Sequence, residues 1–187
     1  MTSSSFPSQS TYPNGATACT SIAWHWAVAC LENLIQPLLD PKQAKSLFEC
    51  AIEAHKYICN ANCASTHKLL SNHELESHLS HLKLKCSEFN VVDDDLEIDE
   101  SMRLFWVPRN KFKQLLLHSH AKKFAMIITY CAHTHAIFGN TESITVFDSM
   151  HGRAQSMNRS SSDFSDNIDS LANTYQADEI AVTLITK

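Results

Sequence analysis

The chain has 187 residues and a net charge of −5 with histidine neutral, so it lacks the basic surface that draws proteins to nucleic acid or anionic membranes. Its length suits one domain with a substantial core, and no apolar run approaches the ~18 residues of a membrane span. With only three glycines it carries neither a GxGxxG nor a GxxxxGKS/T phosphate loop.

Residues 1–11 are rich in Ser, Thr and Pro and read as a flexible N-terminus ahead of a single catalytic-size domain, 12–187. This polar start has no apolar segment of the secretory type. Seven cysteines, an odd number without a regular framework, fit a reducing compartment, so the expected location is cytoplasmic. For a viral protein or a secreted bacterial effector that means the host's cytoplasm.

A loop with Pro13 and Gly15 then runs straight into Cys19. Apolar or small residues recur at Cys19, Ile22, Ala23, Trp26, Ala27, Cys30, Leu31 and Leu34, the spacing of a buried helix face, and Thr17 is placed to cap it. Pro37 stops this helix at about Ile35. A cysteine that opens a helix faces unpaired amide N–H groups and the positive end of the dipole, which favours thiolate. The alternative for Cys19 is a small buried core residue.

Asp40 and Pro41 mark the N-cap and first position of a second helix, ending near Asn60-Ala61-Asn62. Ser71 and Glu74 form a capping box for a third, continued by Leu75, Leu79 and Leu82. Leu84–Val92 reads as a strand leading into the acidic run 93–100. A short strand at 104–107 is stopped by Pro108, and a helix runs from Arg109 to about His120. From Phe124 an almost continuous apolar run extends through His133-Thr134-His135 to Phe138, as in a strand buried on both faces. A four-residue turn at 139–142 leads into the strand 143–147, ending at Asp148. A serine-rich loop, an amphipathic helix with Phe164, Ile168, Leu171 and Tyr175, and a last strand at 180–184 follow. Helices first and a mostly antiparallel sheet afterwards define an α+β class.

If Phe138 pairs with Ser143 across that turn, His133 lies opposite Asp148 on one face, with His135 diagonal to it. An imidazole held by a carboxylate across a hairpin has its tautomer and orientation fixed, as a general base requires. Cys19 delivered to that pair completes a Cys-His-Asp arrangement. Each histidine alone also reads as an ordinary strand residue.

The order Cys, His, Asp, with the cysteine opening the first helix, resembles papain-like cysteine proteases, and among them deubiquitinases. His133-Thr134-His135-Ala136-Ile137 resembles the H-x-x-A-I of Josephin-type enzymes, with Asp148 where those have Asn. Val146-Phe147-Asp148-Ser149, followed by His151-Gly152-Arg153, is similar to the viral-tegument deubiquitinases, whose catalytic histidine follows the aspartate. The similarity spans about residues 12–35 and 124–153. It implies the papain-like fold, with Cys19 as nucleophile, His133 as base, Asp148 as its orienting acid, and His135 then His151 as successors to His133. Met150 places Asp148 and His151 on opposite faces unless the chain bulges. Asn14 sits where such enzymes place an oxyanion-hole glutamine, one methylene shorter, beside the Cys19 backbone N–H.

The implied activity is a thiol-dependent isopeptidase that cleaves after the C-terminal glycine of ubiquitin or a ubiquitin-like modifier. Ubiquitin or polyubiquitin is then the partner of a monomeric enzyme that needs no cofactor. The alternatives are an effector-type cysteine protease of another protein, an acyltransferase with the same triad, or a catalytically inactive ubiquitin-binding module. His55, Cys59, Cys63 and His67 recur every four residues, but on one continuous helix they cannot converge on a metal ion. The acidic run 93–100 is a solvated face or a docking site for a basic partner such as ubiquitin. Trp24, Trp26 and Trp106 read as core, with exposure beside Cys19 as the alternative for Trp24, which lies off the main helix stripe.

Overall fold

A computed structural model describes residues 1–62, 64–65, 68–92, 106–118, 123–130, 133–175 and 179–186. The acidic run 93–100, Cys63 and His67 lie outside these residues, as does the start of the strand expected at 104–107.

The N-terminal segment read as flexible is built into the fold. Thr2–Ser5 form β1, paired antiparallel with a strand at Arg153–Asn158, and Gln9–Thr11 form a 3-10 turn. The polar, non-alternating sequence TSSS gives no strand signal; its order comes from backbone pairing at the sheet edge. Helix α1 spans Cys19–Leu31, shorter than expected, because Asn33 turns left-handed (φ 60°). Leu34 N–H then bonds the Ala29 carbonyl, which closes the helix end and leaves Leu34 exposed. Helices α2 (Pro41–Ala61) and α3 (Asn72–His78) begin at the expected caps, Asp40 and Ser71; the box at Ser71 is the expected one, and Gln43 completes a second at Asp40.

The remaining elements are β2 (Lys85–Val92), β3 (Trp106–Pro108), α4 (Arg109–His118), β4 (Lys123–Tyr130), β5 (His133–Asn140), β6 (Ser143–Asp148), β7 (Arg153–Asn158), α5 (Phe164–Thr174) and β8 (Glu179–Thr186). They make one eight-stranded sheet in the order β1-β7-β6-β5-β4-β8-β2-β3, antiparallel except between β2 and β3. This is the expected α+β class. Two expectations need correction. The run 124–138 is a hairpin, with Tyr130 paired to His133, and the stretch after Asp148 contains β7 as well as loop.

Side-chain alternation sorts the core into two layers. Ala125, Ile127, Ala136, Phe138 and Phe147 face α1 and α2, whereas Phe124, Met126, Ile128, Ile137 and Ile144 face α4 and α5. Helix α1 lies on β4 and β5 and is buried nearly all round. Trp24 is therefore fully buried, its indole N–H donating to Asn72 Oδ1 at 2.8 Å. Trp26 stacks on Phe147 (4.8 Å, 9°), and Phe6 stacks on the same ring at 5.7 Å.

The β5–β6 turn is tighter than expected. Asn140 Oδ1 accepts the N–H groups of Glu142 and Ser143 at 2.9 and 2.8 Å, so only Thr141 and Glu142 lie outside the strands. Gly139 stays in β5 because the Phe124 ring covers it; a Cβ there would come within 2.1 Å of that ring.

Phe147→Ala removes the ring sandwiched by Trp26 and Phe6 and should destabilise the protein by about 3–5 kcal/mol in urea unfolding. A loss below 1 kcal/mol would mean that this stack does not anchor α1 to the sheet.

Candidate active site

The tight turn shifts the ladder by two residues from the expected register. Ala136 pairs with Phe147, so one step further His135, not His133, lies across from Asp148. His135 Nε2 is 3.7 Å from Asp148 Oδ2. The shift preserves the face: both histidines point away from α1, toward α4 and α5, with His133 exposed at the strand end.

Asp148 is 3% exposed and closes on His151 rather than on a β5 imidazole at hydrogen-bond distance. Strand β6 ends at Asp148, and a turn with Gly152 at φ 61° swings the chain back. Asp148 Oδ1 accepts the His151 backbone N–H at 3.0 Å, and Oδ2 accepts from His151 Nδ1 at 2.7 Å. The opposite-face objection to His151 thus fails, because His151 sits on a turn and not on the strand. Since a carboxylate only accepts, the neutral ring carries its proton on Nδ1 and offers Nε2 as a base. Arg153 Nε, 3.4 Å from Oδ2, adds a positive charge. Burial works to raise the Asp148 carboxyl, but the His151 amide bond and the neighbouring imidazoles outweigh it and hold the group below the usual range.

On the far side of Asp148, His135 is 7% exposed and lies between two tyrosines, with Nδ1 3.3 Å from Tyr175 OH and Nε2 3.5 Å from Tyr130 OH. Burial lowers its pKa and outweighs the pull of Asp148, so it is held neutral. Burial likewise raises that of Tyr175.

Cys19 is the first residue of α1 and 2% exposed. The N-cap position is Ala18, not Thr17, and Ala18 has no side-chain acceptor to cover the first-turn N–H groups. Among the described residues, the hydrogen-bonding groups near its Sγ are Thr134 Oγ1 at 3.8 Å and Thr20 Oγ1 at 3.9 Å. A groove of about 260 Å³ opens beside it, lined by Leu69, Leu70, Asn72, Thr129 and Ala181 as well as both threonines.

What links the two halves is Gln9, which the sequence reading passed over. Fully buried, it accepts from Ser149 Oγ at 2.5 Å through Oε1, and its N–H bonds the Ser149 carbonyl. Its carboxamide nitrogen reaches the Ala16 carbonyl at 3.5 Å, three residues ahead of Cys19. Gly15 permits this, since a Cβ there would lie 2.0 Å from the Gln9 carbonyl oxygen. No pattern marks Gln9 among its Ser, Thr and Pro neighbours; only its carboxamide, ten residues before a helix-opening cysteine, is a signal. Asn14, by contrast, is exposed and left-handed (φ 61°), with no cap bond from its side chain.

No metal-binding cluster exists among the described residues. His55 is buried against Ser21 Oγ (3.2 Å) and Cys59 Sγ (3.6 Å), a polar contact inside the core.

No family model and no curated protein sequence matches this chain. The fold is similar to that of the ubiquitin-specific protease encoded by murine cytomegalovirus tegument protein M48, solved in complex with a ubiquitin-based suicide substrate. The TM-score is 0.71 at 14% identity, over 99% of this chain and 85% of that one. The Pseudomonas avirulence protein AvrPphB matches more loosely, with a TM-score of 0.48 at 13% identity over 96% of this chain and 100% of that one. The chain therefore has the papain-like cysteine protease fold.

Because His135 is held neutral, the unfolded chain takes up its proton first as pH falls below the ordinary value of 6.5. Its burial thus costs stability progressively below pH 6.5. His135→Gln should flatten the stability-versus-pH curve just below 6.5 in chemical denaturation; an unchanged slope there would contradict the burial argument.

Proposed function

We propose that the protein is a deubiquitinase, a thiol-dependent isopeptidase acting after the C-terminal glycine of ubiquitin or a ubiquitin-like modifier. The observation that carries the hydrolase chemistry is the Gln9 bridge. It ties the start of α1, with Cys19 at an uncapped end, to the turn where Asp148 grips His151 Nδ1 at 2.7 Å. The ubiquitin specificity is supported by the fold shared with the M48 protease along 99% of this chain.

In this reading Cys19 is the nucleophile and His151 the base, in place of His133. Its Nε2 takes the thiol proton, Sγ attacks the carbonyl of the modifier's last glycine, and the same proton passes to the leaving lysine amine. Asp148 holds the imidazole in the required tautomer and stabilises the imidazolium that forms. The thioester is then hydrolysed by a water that gives its proton to His151. The oxyanion is met by the Cys19 backbone N–H and by the Gln9 carboxamide, in place of Asn14. No step calls for a cofactor.

The test is labelling with a ubiquitin C-terminal electrophile. Wild type should form a covalent adduct and Cys19→Ala none. His151→Ala should label at least about 100-fold more slowly, while His133→Ala stays near wild type. The reverse order of the two histidine variants would restore His133 as base. A wild type that ignores ubiquitin and ubiquitin-like probes would end the deubiquitinase reading.

Gln9→Ala should slow the same reaction by about 100-fold while leaving Asn14→Ala close to wild type. Equal losses in the two would remove Gln9 from the oxyanion site.

A further inference from the structure

The β5 imidazoles point away from α1, and the side chain that β5 does present to the nucleophile is Thr134. Its Oγ1 lies 3.8 Å from Cys19 Sγ, 3.1 Å from Thr20 Oγ1 and 3.4 Å from Thr129 Oγ1. All three hydroxyls line the groove that opens at the thiol, and Thr20 and Thr134 are 6% and 4% exposed. Three hydroxyls in contact beside a buried sulfur are more than strand packing needs, since valine has the same shape without desolvating an O–H.

We propose that Thr134 is a further catalytic residue, a hydroxyl that hydrogen-bonds the Cys19 sulfur and stabilises its thiolate, with Thr20 and Thr129 orienting it. The proposal rests on Cys19 being the nucleophile. In the resting thiol, S–H donates to Thr134 Oγ1, whose own proton points to Thr20 or Thr129. When the thiol proton leaves for the base, the Thr134 O–H turns about its Cβ–Oγ bond and donates to the sulfur anion. The hydroxyl proton stays on oxygen throughout; no heavy atom moves, and the only bond broken is S–H. A thiolate formed at a 2%-exposed position is shielded from most water, so a preset donor there has a large effect. The β-branched side chain holds that donor in one rotamer where serine would sample several.

The experiment is the rate of Cys19 alkylation by iodoacetamide across pH, read by peptide mass, which requires no ubiquitin substrate. Thr134→Val keeps the shape and removes the hydroxyl; it should react at neutral pH roughly tenfold more slowly, with its rate curve displaced to higher pH. Thr134→Ser, which returns the hydroxyl on an unbranched carbon, should recover most of the rate even if the valine variant folds poorly. Wild-type rate and profile in Thr134→Val, with His151→Ala still slow, would overturn the role of Thr134 and leave the nucleophile assignment standing. A serine variant as slow as a well-folded valine variant would overturn it too. Alkylation of wild-type Cys19 no faster than that of the exposed Cys50 would sink the nucleophile assignment and the proposal together.

Discussion

The site depends first on how completely α1 is buried. Eleven of its thirteen residues are enclosed, so the helix is held from every side and its first residue has little freedom to move. The sheet supplies one wall through Phe147, stacked on Trp26, and α2 supplies another through Phe48, edge-on to the same phenylalanine. A close-packed surround of this kind fixes position at the scale that proton transfer demands. With no side-chain cap on the first turn, the polarity of the helix end is left for the thiol and whatever binds beside it.

A second constraint is the strap 6–17, which lies between α1 and the β6–β7 turn. Phe6 N–H bonds the Gly152 carbonyl, Gln9 N–H bonds the Ser149 carbonyl, and Gln9 reaches on to Ala16. The glycines at both ends have steric reasons: Gly15 passes under the Gln9 carbonyl, and Gly152 takes φ 61° against Phe6. Two of the chain's three glycines thus serve the join between the start of α1 and the turn that carries His151, and the third lets Phe124 lie over β5. Asp148 gains from the same join, since the turn that the strap braces is the one that brings both His151 donors onto its oxygens.

Much of this was legible in the sequence where local chemistry decides structure. The capping residues Asp40 and Ser71, the doubly buried β4, and the helix-opening Cys19 all carry short-range signals that tertiary context reinforces. Errors arose where a decision rests on contacts distant in sequence. Gly139 looked like a turn glycine because nothing local says that Phe124 will cover it, and the resulting two-residue slip moved His135 into the place assigned to His133. Trp24, off the main stripe, is core as expected, because α1 is buried on several faces and not on one. Strand β1 and Gln9 were invisible because a polar segment paired through its backbone leaves no hydrophobic pattern. Asp148 was found by its position at a strand end; its partner His151 was placed third, behind His133 and His135, because strand parity does not survive a turn.

If the Gln9 strap brings Cys19 and the Asp148-held His151 together as one reacting unit, the imidazole stands at the sulfur while substrate is bound. A crystal structure of the protein trapped at Cys19 by a ubiquitin C-terminal electrophile tests it most directly. In that complex His151 Nε2 should lie within hydrogen-bond reach, about 3 Å, of the atoms bonded at Cys19 Sγ, with Nδ1 still on Asp148. A trapped complex in which another imidazole occupies that place, or in which His151 stays in solvent, would contradict it.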